Sequence, residues 1–154
     1  MEVSFHEEIK ALRLGEGDTF HGEGILAITK ALLQSGVSYV GGYQGSPISH
    51  LMDVLADASD YMAELGVHFE SSASEATAAA MLSASVMYPI RGAVTWKSTA
   101  GTNVASDALS NLASPGVMGG ALIVVDPASN RTSGALLVIG RRKSIACARS
   151  EEHT

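Results

Sequence analysis

The sequence predicts an α/β fold of three layers, in which helices cover both faces of a mainly parallel sheet. Helix-like and strand-like segments alternate between residues 18 and 125, and the later strands are apolar enough to be buried on both faces. The composition agrees, because 46% of the residues are hydrophobic and 17% are charged. A chain of 154 residues is long enough for one compact domain.

The first predicted helix runs from Glu23 to Gln34, where apolar residues recur at helical spacing. Gly36 should end it, because glycine adopts the left-handed cap conformation without steric cost. A short strand, Val37–Val40, is expected next, and the glycine-rich residues 41–45 are predicted to form a loop.

Ser46 and Pro47 are predicted to open the second helix, since serine caps free amides and proline suits the first helical position. The apolar face of this helix should consist of Ile48, Leu51, Met52 and Leu55. The second strand is predicted over Val67–Glu70.

A third helix, rich in alanine and serine, is predicted from Glu75 to about Met87. Its small side chains would allow close approach to a neighbour, so we expect it to be central and buried. Pro89 should end it before the third strand, Gly92–Trp96.

The last predicted helix begins at Thr102, which would cap it after a loop at residues 98–101, and runs to about Ala113. One side of it should carry Val104, Ala108 and Leu112. The fourth strand is predicted over Ala121–Val125, a β-rich apolar run.

Charge and cysteine content exclude several classes of protein. The formal net charge is -6, and nucleic-acid binding would require a basic face. The single cysteine, Cys147, can form neither a disulfide within the chain nor a cysteine-based zinc or iron–sulfur site. No secretory signal and no apolar run of roughly 18 residues is present. We therefore expect a cytoplasmic protein without a metal site of its own, a nucleic-acid partner or a membrane segment.

The chain changes character near residue 126. Residues 1–125 contain 13 acidic and 5 basic residues, whereas residues 126–154 contain 3 acidic and 5 basic residues. The last six residues, 149–154, are those that a common sequencing adapter encodes in one reading frame. The alternative is a native loop, strand and basic end. We expect residues 126–154 to be non-native, and divide the rest into an N-terminal extension, 1–17, and an incomplete domain, 18–125.

Three loops should meet at the carboxyl edge of the sheet, where ligands bind in parallel α/β folds. They are Gly41–Ser46, Ser71–Glu75 and Lys97–Asn103, and each is rich in glycine, serine or threonine. None matches a dinucleotide fingerprint, a P-loop or a nucleophile elbow, and the five histidines show no metal-ligand spacing. The loops predict a ligand site without naming the ligand.

Four segments resemble the indolepyruvate-type alpha subunits of the 2-oxoacid:ferredoxin oxidoreductases. They are residues 39–47, 69–76, 95–105 and 116–125, of which the first includes Gly45-Ser46-Pro47 of the family's G-Y-x-G-[ST]-P loop. The resemblance covers roughly residues 18–125 in order. It stops at Val125, where the family continues with a glycine–acidic loop and this chain does not.

The resemblance implies that residues 18–125 hold the aminopyrimidine ring of thiamine diphosphate. Glu75 matches the glutamate that faces the pyrimidine nitrogen, and Gly45 and Asn103 match cofactor-binding positions. Ser46 matches a hydroxyl beside the substrate carboxylate, and Lys97 lies in a loop near the cofactor or substrate, where it could balance the charge of a carboxylate in substrate binding. A carboxylate that shares a proton with the ring nitrogen favours the imino form, which activates the cofactor.

The resemblance also implies what this chain lacks. Magnesium and the iron–sulfur clusters belong to other parts of the complete enzyme, so the chain alone should be inactive. Its implied partners are a diphosphate-binding domain of the same or a second subunit, a beta subunit and ferredoxin. The implied reaction is oxidative decarboxylation of an aryl 2-oxoacid.

Simpler interpretations remain open for each of these residues. Ser72 and Glu75 have the spacing of a capping box. In these interpretations Ser46 is the N-cap of a helix, Lys97 is a solvated surface lysine, and Tyr43 and Trp96 are core residues. Two other functions also remain open, namely another thiamine enzyme and a non-catalytic, flavodoxin-like nucleotide-binding domain.

Overall fold

The computed structural model describes residues 5–45, 48–126, 135–139 and 145–149, with side chains described up to residue 125. Its elements, in chain order, are a 3-10 helix Glu8–Arg13, α1 Gly24–Gln34, β1 Tyr39–Gly42, α2 Ser49–Asp57, α3 Ser59–Glu64, β2 His68–Ser71, α4 Glu75–Met81, α5 Ala84–Met87, β3 Arg91–Lys97, α6 Ser98–Val104, α7 Ser106–Ala113, β4 Gly120–Asp126, β5 Ala135–Ile139 and β6 Ile145–Arg149. No helix among these residues has the length and apolarity that crossing a membrane requires.

The strands form one sheet in the order β2-β1-β3-β4-β5-β6. The first four strands are parallel, and β5 and β6 extend the sheet as antiparallel neighbours. The predicted fold class, helices on both faces of a mainly parallel sheet, is confirmed. The chain passes from β1 to β2 on one side and then to β3 on the other side of β1. This change of direction marks the carboxyl ends of β1 and β3 as the position of the ligand-binding crevice in folds of this topology.

Two apolar cores cover the two faces of the sheet. One core joins the sheet to α1, α2 and α3, and its buried residues include Leu32, Val40, Leu51, Met52, Leu55, Met62, Ala93 and Val124. The other core joins the sheet to α4, α6 and α7, and includes Tyr39, Ala78, Ala79, Leu82, Val94, Trp96, Leu112 and Ile123. Neighbouring residues of β3 contribute to opposite cores, as the alternation of side chains along a strand requires.

The N-terminal segment packs against the outside of the first helical layer. Phe5 and Leu12 are buried in a third cluster with Leu26, Val54 and Ala58. Arg13 donates two hydrogen bonds to the carboxylate of Glu64, at 2.6 and 2.7 Å. Residues 5–14 are therefore connected to the domain by apolar contacts and by an ion pair with two hydrogen bonds.

The first two helices largely confirm their predictions. α1 begins after Glu23, and Gly36 follows it with a φ of 73°, the left-handed conformation expected of a glycine cap. The predicted apolar face of α2 is buried throughout, with Ile48 5% exposed and Leu51, Met52 and Leu55 at 2% or less. α2 begins later than predicted, at Ser49 with Ile48 as its N-cap. Ser46 and Pro47 lie outside the described residues.

The first strand lies two residues later than predicted, because two glycines that suggested a loop belong to it. A Cβ on Gly41 would lie 2.5 Å from the backbone oxygen of Glu70, and one on Gly42 would clash with the backbone oxygen of Thr95. Glycine is therefore required here so that the flanking strands can approach closely. β2 is likewise shifted by one residue, to His68–Ser71.

The predicted long helix from Glu75 to Met87 is divided into α4 and α5. The amides of Leu82, Ser83 and Ser85 bond to carbonyls three residues back rather than four, which tightens the chain and interrupts the α-helix. The expectation that this helix is central and buried holds for only one side of it. Ala78, Ala79, Leu82 and Ser85 are buried, but Ala80, Ser83 and Ala84 are exposed.

The segment after β3 differs most from its prediction. The predicted loop at residues 98–101 is already helical and belongs to α6, whose N-cap is Lys97 rather than Thr102. Thr102 instead accepts a hydrogen bond from the indole of Trp96 at 3.2 Å. Val104 is 55% exposed, because the chain turns at the buried Ala105 between α6 and α7. The third and fourth strands are confirmed.

Candidate functional site

The loops that follow β1 and β2 are tied to the neighbouring strands just beyond the sheet. The amide of Tyr43 donates to the carbonyl of Thr95 at 2.9 Å, and the amide of Ser72 donates to the carbonyl of Gly42 at 2.8 Å. These bonds continue the sheet pattern by one residue on each side of β1. They fix the position of the residues that surround the crevice at the carboxyl edge.

Glu75 is the first residue of α4 and is half-buried. The cap of this helix is Ser74, whose hydroxyl accepts the amide of Thr77 at 3.2 Å. The capping box of Ser72 and Glu75, the alternative interpretation of these residues, is therefore not formed, and the Ser72 hydroxyl donates to the sulfur of Met81 at 3.2 Å instead. With respect to the described side chains and backbone, the Glu75 carboxylate takes part in no hydrogen bond or ion pair.

Glu75 lies against α6 at the one position in that helix without a side chain. A Cβ on Gly101 would lie 3.0 Å from Cγ of Glu75 and 2.6 Å from Cδ1 of Trp96. Trp96 is fully buried, which agrees with its interpretation as a core residue. The sequence predicts a loop at Gly101 and therefore does not indicate this contact. The repeated glycines of the loops gave no signal that this one would contact Glu75.

Gly45 and Lys97 meet on the β1 side of the crevice. A Cβ on Gly45 would lie 3.1 Å from Cβ of Lys97. Lys97 is half-buried, ends β3 and begins α6. Its ammonium group forms no ion pair with any carboxylate in the part of the chain whose side chains are described. Lys97 thus has no carboxylate partner among the described residues and could receive an anionic ligand.

The remaining predicted positions are less closely grouped. Asn103 is exposed on α6, and Tyr43 is 37% exposed, so Tyr43 is not the core residue that was one interpretation. Ser46 lies outside the described residues. The structure therefore brings Glu75 to Gly101 and Gly45 to Lys97. In the described part of the chain, no three histidine, cysteine or acidic side chains converge as a metal site would require.

Beneath the α4–α7 layer, Tyr39 is buried with its hydroxyl close to that of Ser85. Burial raises the pKa of Tyr39, and the neighbouring Ser85 hydroxyl partly opposes the rise. The two hydroxyls do not form a hydrogen bond of normal geometry, and neither has another partner within the described structure. This pair lies in the core at the amino end of β1, away from the carboxyl edge.

Two curated proteins resemble the chain over most of its length. They are the indolepyruvate oxidoreductase subunits IorA of Methanothermobacter marburgensis and Methanothermobacter thermautotrophicus, each 32% identical over 113 residues. This degree of similarity supports a relationship at the level of the family only. The aligned residues make up 73% of this chain but only 18% of each relative.

Two further comparisons gave no match. No protein-family model matches the chain, and no solved structure is significantly similar to it. The family-level relationship therefore depends on the two curated proteins, which are several times longer than this chain.

Proposed function

We propose that residues 18–125 form the part of a 2-oxoacid oxidoreductase subunit that holds the aminopyrimidine ring of thiamine diphosphate. The observation that carries the proposal is the Glu75 carboxylate, which is half-buried at the carboxyl edge and unused by the described residues around it. The similarity to two subunits named as indolepyruvate oxidoreductases supports the same class of reaction.

The residues present fit such a ring. Such a ring needs a carboxylate that it can reach, and Glu75 lies half-buried at the carboxyl edge rather than fully enclosed. It also needs a carboxylate that is not already engaged in capping the helix, and Ser74 performs that capping. The capping box was the main alternative role for Glu75, so its absence strengthens the cofactor-binding interpretation.

Each residue has a proposed task. Glu75 would hold a proton between its carboxylate and a ring nitrogen, while Gly45 and Asn103 would border the ring. Lys97 would pair with the carboxylate of the 2-oxoacid, and Ser46 would donate a hydrogen bond to the same group. The bound cofactor would supply the electron sink that decarboxylation of a 2-oxoacid requires.

The proposed site is only half of an active site. The diphosphate–magnesium half would come from a diphosphate-binding domain of the same or a second subunit, and Cys147 alone cannot hold an iron–sulfur cluster. The clusters, the beta subunit and ferredoxin would complete a cytoplasmic enzyme acting on an aryl 2-oxoacid. We expect the isolated chain to show no turnover.

The direct test is Glu75→Gln in the complete enzyme. Glutamine keeps the shape of the side chain but cannot share a proton with the ring, so turnover should fall at least about 100-fold. The assay is 2-oxoacid-dependent reduction of ferredoxin with coenzyme A present. Glu16→Gln is the matched control, because Glu16 is an exposed glutamate of the N-terminal extension. Near-normal turnover of Glu75→Gln would exclude the thiamine-dependent role.

Two alternatives have distinct outcomes in related assays. Another thiamine enzyme would consume the 2-oxoacid but release an aldehyde or ketol without reducing ferredoxin. The sheet order β2-β1-β3-β4 is also that of flavodoxin-like domains, which bind a nucleotide at the β1–β3 crevice. Equilibrium dialysis of the chain against flavin mononucleotide would test that function, and tight binding would favour it.

A further inference from the structure

We infer that Gly101 and Trp96 are positioning residues that set the direction of the Glu75 side chain. The inference rests on the proposed function and adds to it the packing that keeps the carboxylate in place. Glu75 has no hydrogen bond to a described residue that could orient it. Its direction is therefore determined by the surfaces against which its methylene groups lie.

Gly101 provides the first of these surfaces. A Cβ at this position would lie 3.0 Å from Cγ of Glu75, which is closer than nearly all real contacts of a Cβ atom. The side chain of Glu75 thus occupies the space that any other residue at position 101 would fill. A larger residue would push α6 and Glu75 apart.

Trp96 is the nearest side chain to the same position of α6. Its Cδ1 would lie 2.6 Å from a Cβ at Gly101. The indole and the Glu75 side chain therefore both approach this glycine closely. The indole is itself held, since it is fully buried and its Nε1 donates to Thr102 at 3.2 Å. The ring is consequently a rigid support rather than a mobile one.

The backbone of Gly101 does not explain why glycine is there. The residue is in the middle of α6 and is not among the glycines with positive φ. Glycine in a helix interior is about 1 kcal/mol less favourable than alanine, so helix propensity alone would favour alanine at this position. The space needed by Glu75 and Trp96 is the remaining physical reason.

The first test is a mutant cycle in the complete enzyme with Gly101→Ala, Glu75→Gln and the double variant. Gly101→Ala should lower kcat at least about tenfold and change kcat more than KM for the 2-oxoacid, because the Glu75 carboxylate acts on the cofactor rather than on the substrate. If Gly101 acts through Glu75, the double variant should be no slower than Glu75→Gln alone. Gly24→Ala is the control, since no atom lies within 4 Å of a Cβ at Gly24. Independent losses that multiply in the double variant would overturn the inference.

The second test needs no cofactor and uses the 154-residue chain, in which Trp96 is the single tryptophan and reports unfolding. Gly101→Ala should lower the midpoint of urea unfolding, and adding Glu75→Ala should recover part of the loss by removing Cγ. Additive midpoint shifts would overturn the inference whatever the activity of Glu75→Gln. If Glu75→Gln keeps full turnover while the shifts are coupled, the proposed function fails but the contact of Gly101 with Glu75 stands.

Discussion

The ring of Tyr39 lies directly over the bare Cα of Gly92 on the neighbouring strand. The two residues are partners in the parallel pairing of β1 with β3, and a Cβ on Gly92 would clash with the phenol ring. Tyr39 is only 7% exposed as a result. Gly92 therefore makes room for an aromatic side chain in the core between the sheet and α4.

Gly92→Ala is predicted to destabilise the chain by about 1–3 kcal/mol, because the added methyl group overpacks a filled core. The measurement is urea unfolding followed by Trp96 fluorescence. Gly15→Ala is a matched control, since no atom lies within 4 Å of a Cβ at Gly15. Equal midpoints for Gly92→Ala and wild type would show that the ring moves aside without cost.

Tyr39→Phe is predicted to remove part of the alkaline loss of stability. Burial raises the pKa of Tyr39, so above about pH 10 the unfolded chain ionises this tyrosine while the folded chain keeps it neutral. Ionisation of Tyr39 therefore leaves the free energy of unfolding unchanged below about pH 10 and lowers it as the pH rises toward the raised pKa of the folded chain. Below pH 9 the substitution should be neutral or stabilising, because it deletes a buried hydroxyl without a normal hydrogen bond.

The measurement for Tyr39→Phe is the unfolding free energy at several pH values between about 8 and 11. Tyr88→Phe serves as the control, because Tyr88 is 63% exposed. A pH dependence in Tyr39→Phe as steep as that of the control would contradict the prediction.

Ser74→Ala is predicted to destabilise the chain by about 1 kcal/mol through loss of the cap of α4. Its hydroxyl accepts the amide of Thr77, which would otherwise lack a partner in the first turn. Ser83→Ala is the control, since Ser83 is at the N-cap of α5 but makes no side-chain capping bond. Thermal unfolding should separate the two variants, and equal losses would argue against a specific cap at Ser74.

Lys97→Met in the complete enzyme is predicted to raise KM for the 2-oxoacid by about 10- to 100-fold, because it removes a charge-assisted contact with the substrate carboxylate. Methionine retains most of the apolar stem that packs near Gly45. Steady-state kinetics of Lys97→Met and of the exposed control Lys10→Met would test this. An unchanged KM would assign Lys97 to a structural role.

Much of the fold could be predicted because it depends on local patterns. The apolar face of α2, the end of α1 at Gly36 and the strands around Val94 and Ile123 follow from side-chain spacing and glycine conformation. The errors occur where tertiary contacts outweigh these patterns. Gly41 and Gly42 have the composition of a loop, but they form a strand because the neighbouring backbones approach them closely.

The candidate site, like the fold, could be predicted from the sequence only in part. Glu75 could be singled out from its place after the second strand and from the family resemblance, but the sequence left a capping box open as its alternative role. The structure removed that alternative by assigning the cap to Ser74. It also placed Lys97 at the N-cap of α6 and made residues 98–101 helical, which the run of small polar residues had not indicated.

The sequence by itself determined the alternation of helical regions with four strands between residues 18 and 125 and the apolar face of α2. These features follow from residues close together in the chain, whose periodicity and backbone preferences act locally. Only the tertiary structure decided that Gly101 lies against Glu75 and that Gly45 lies against Lys97. Such pairs depend on how α4, α6 and the strands pack, and packing is a property of the whole layer rather than of any one segment.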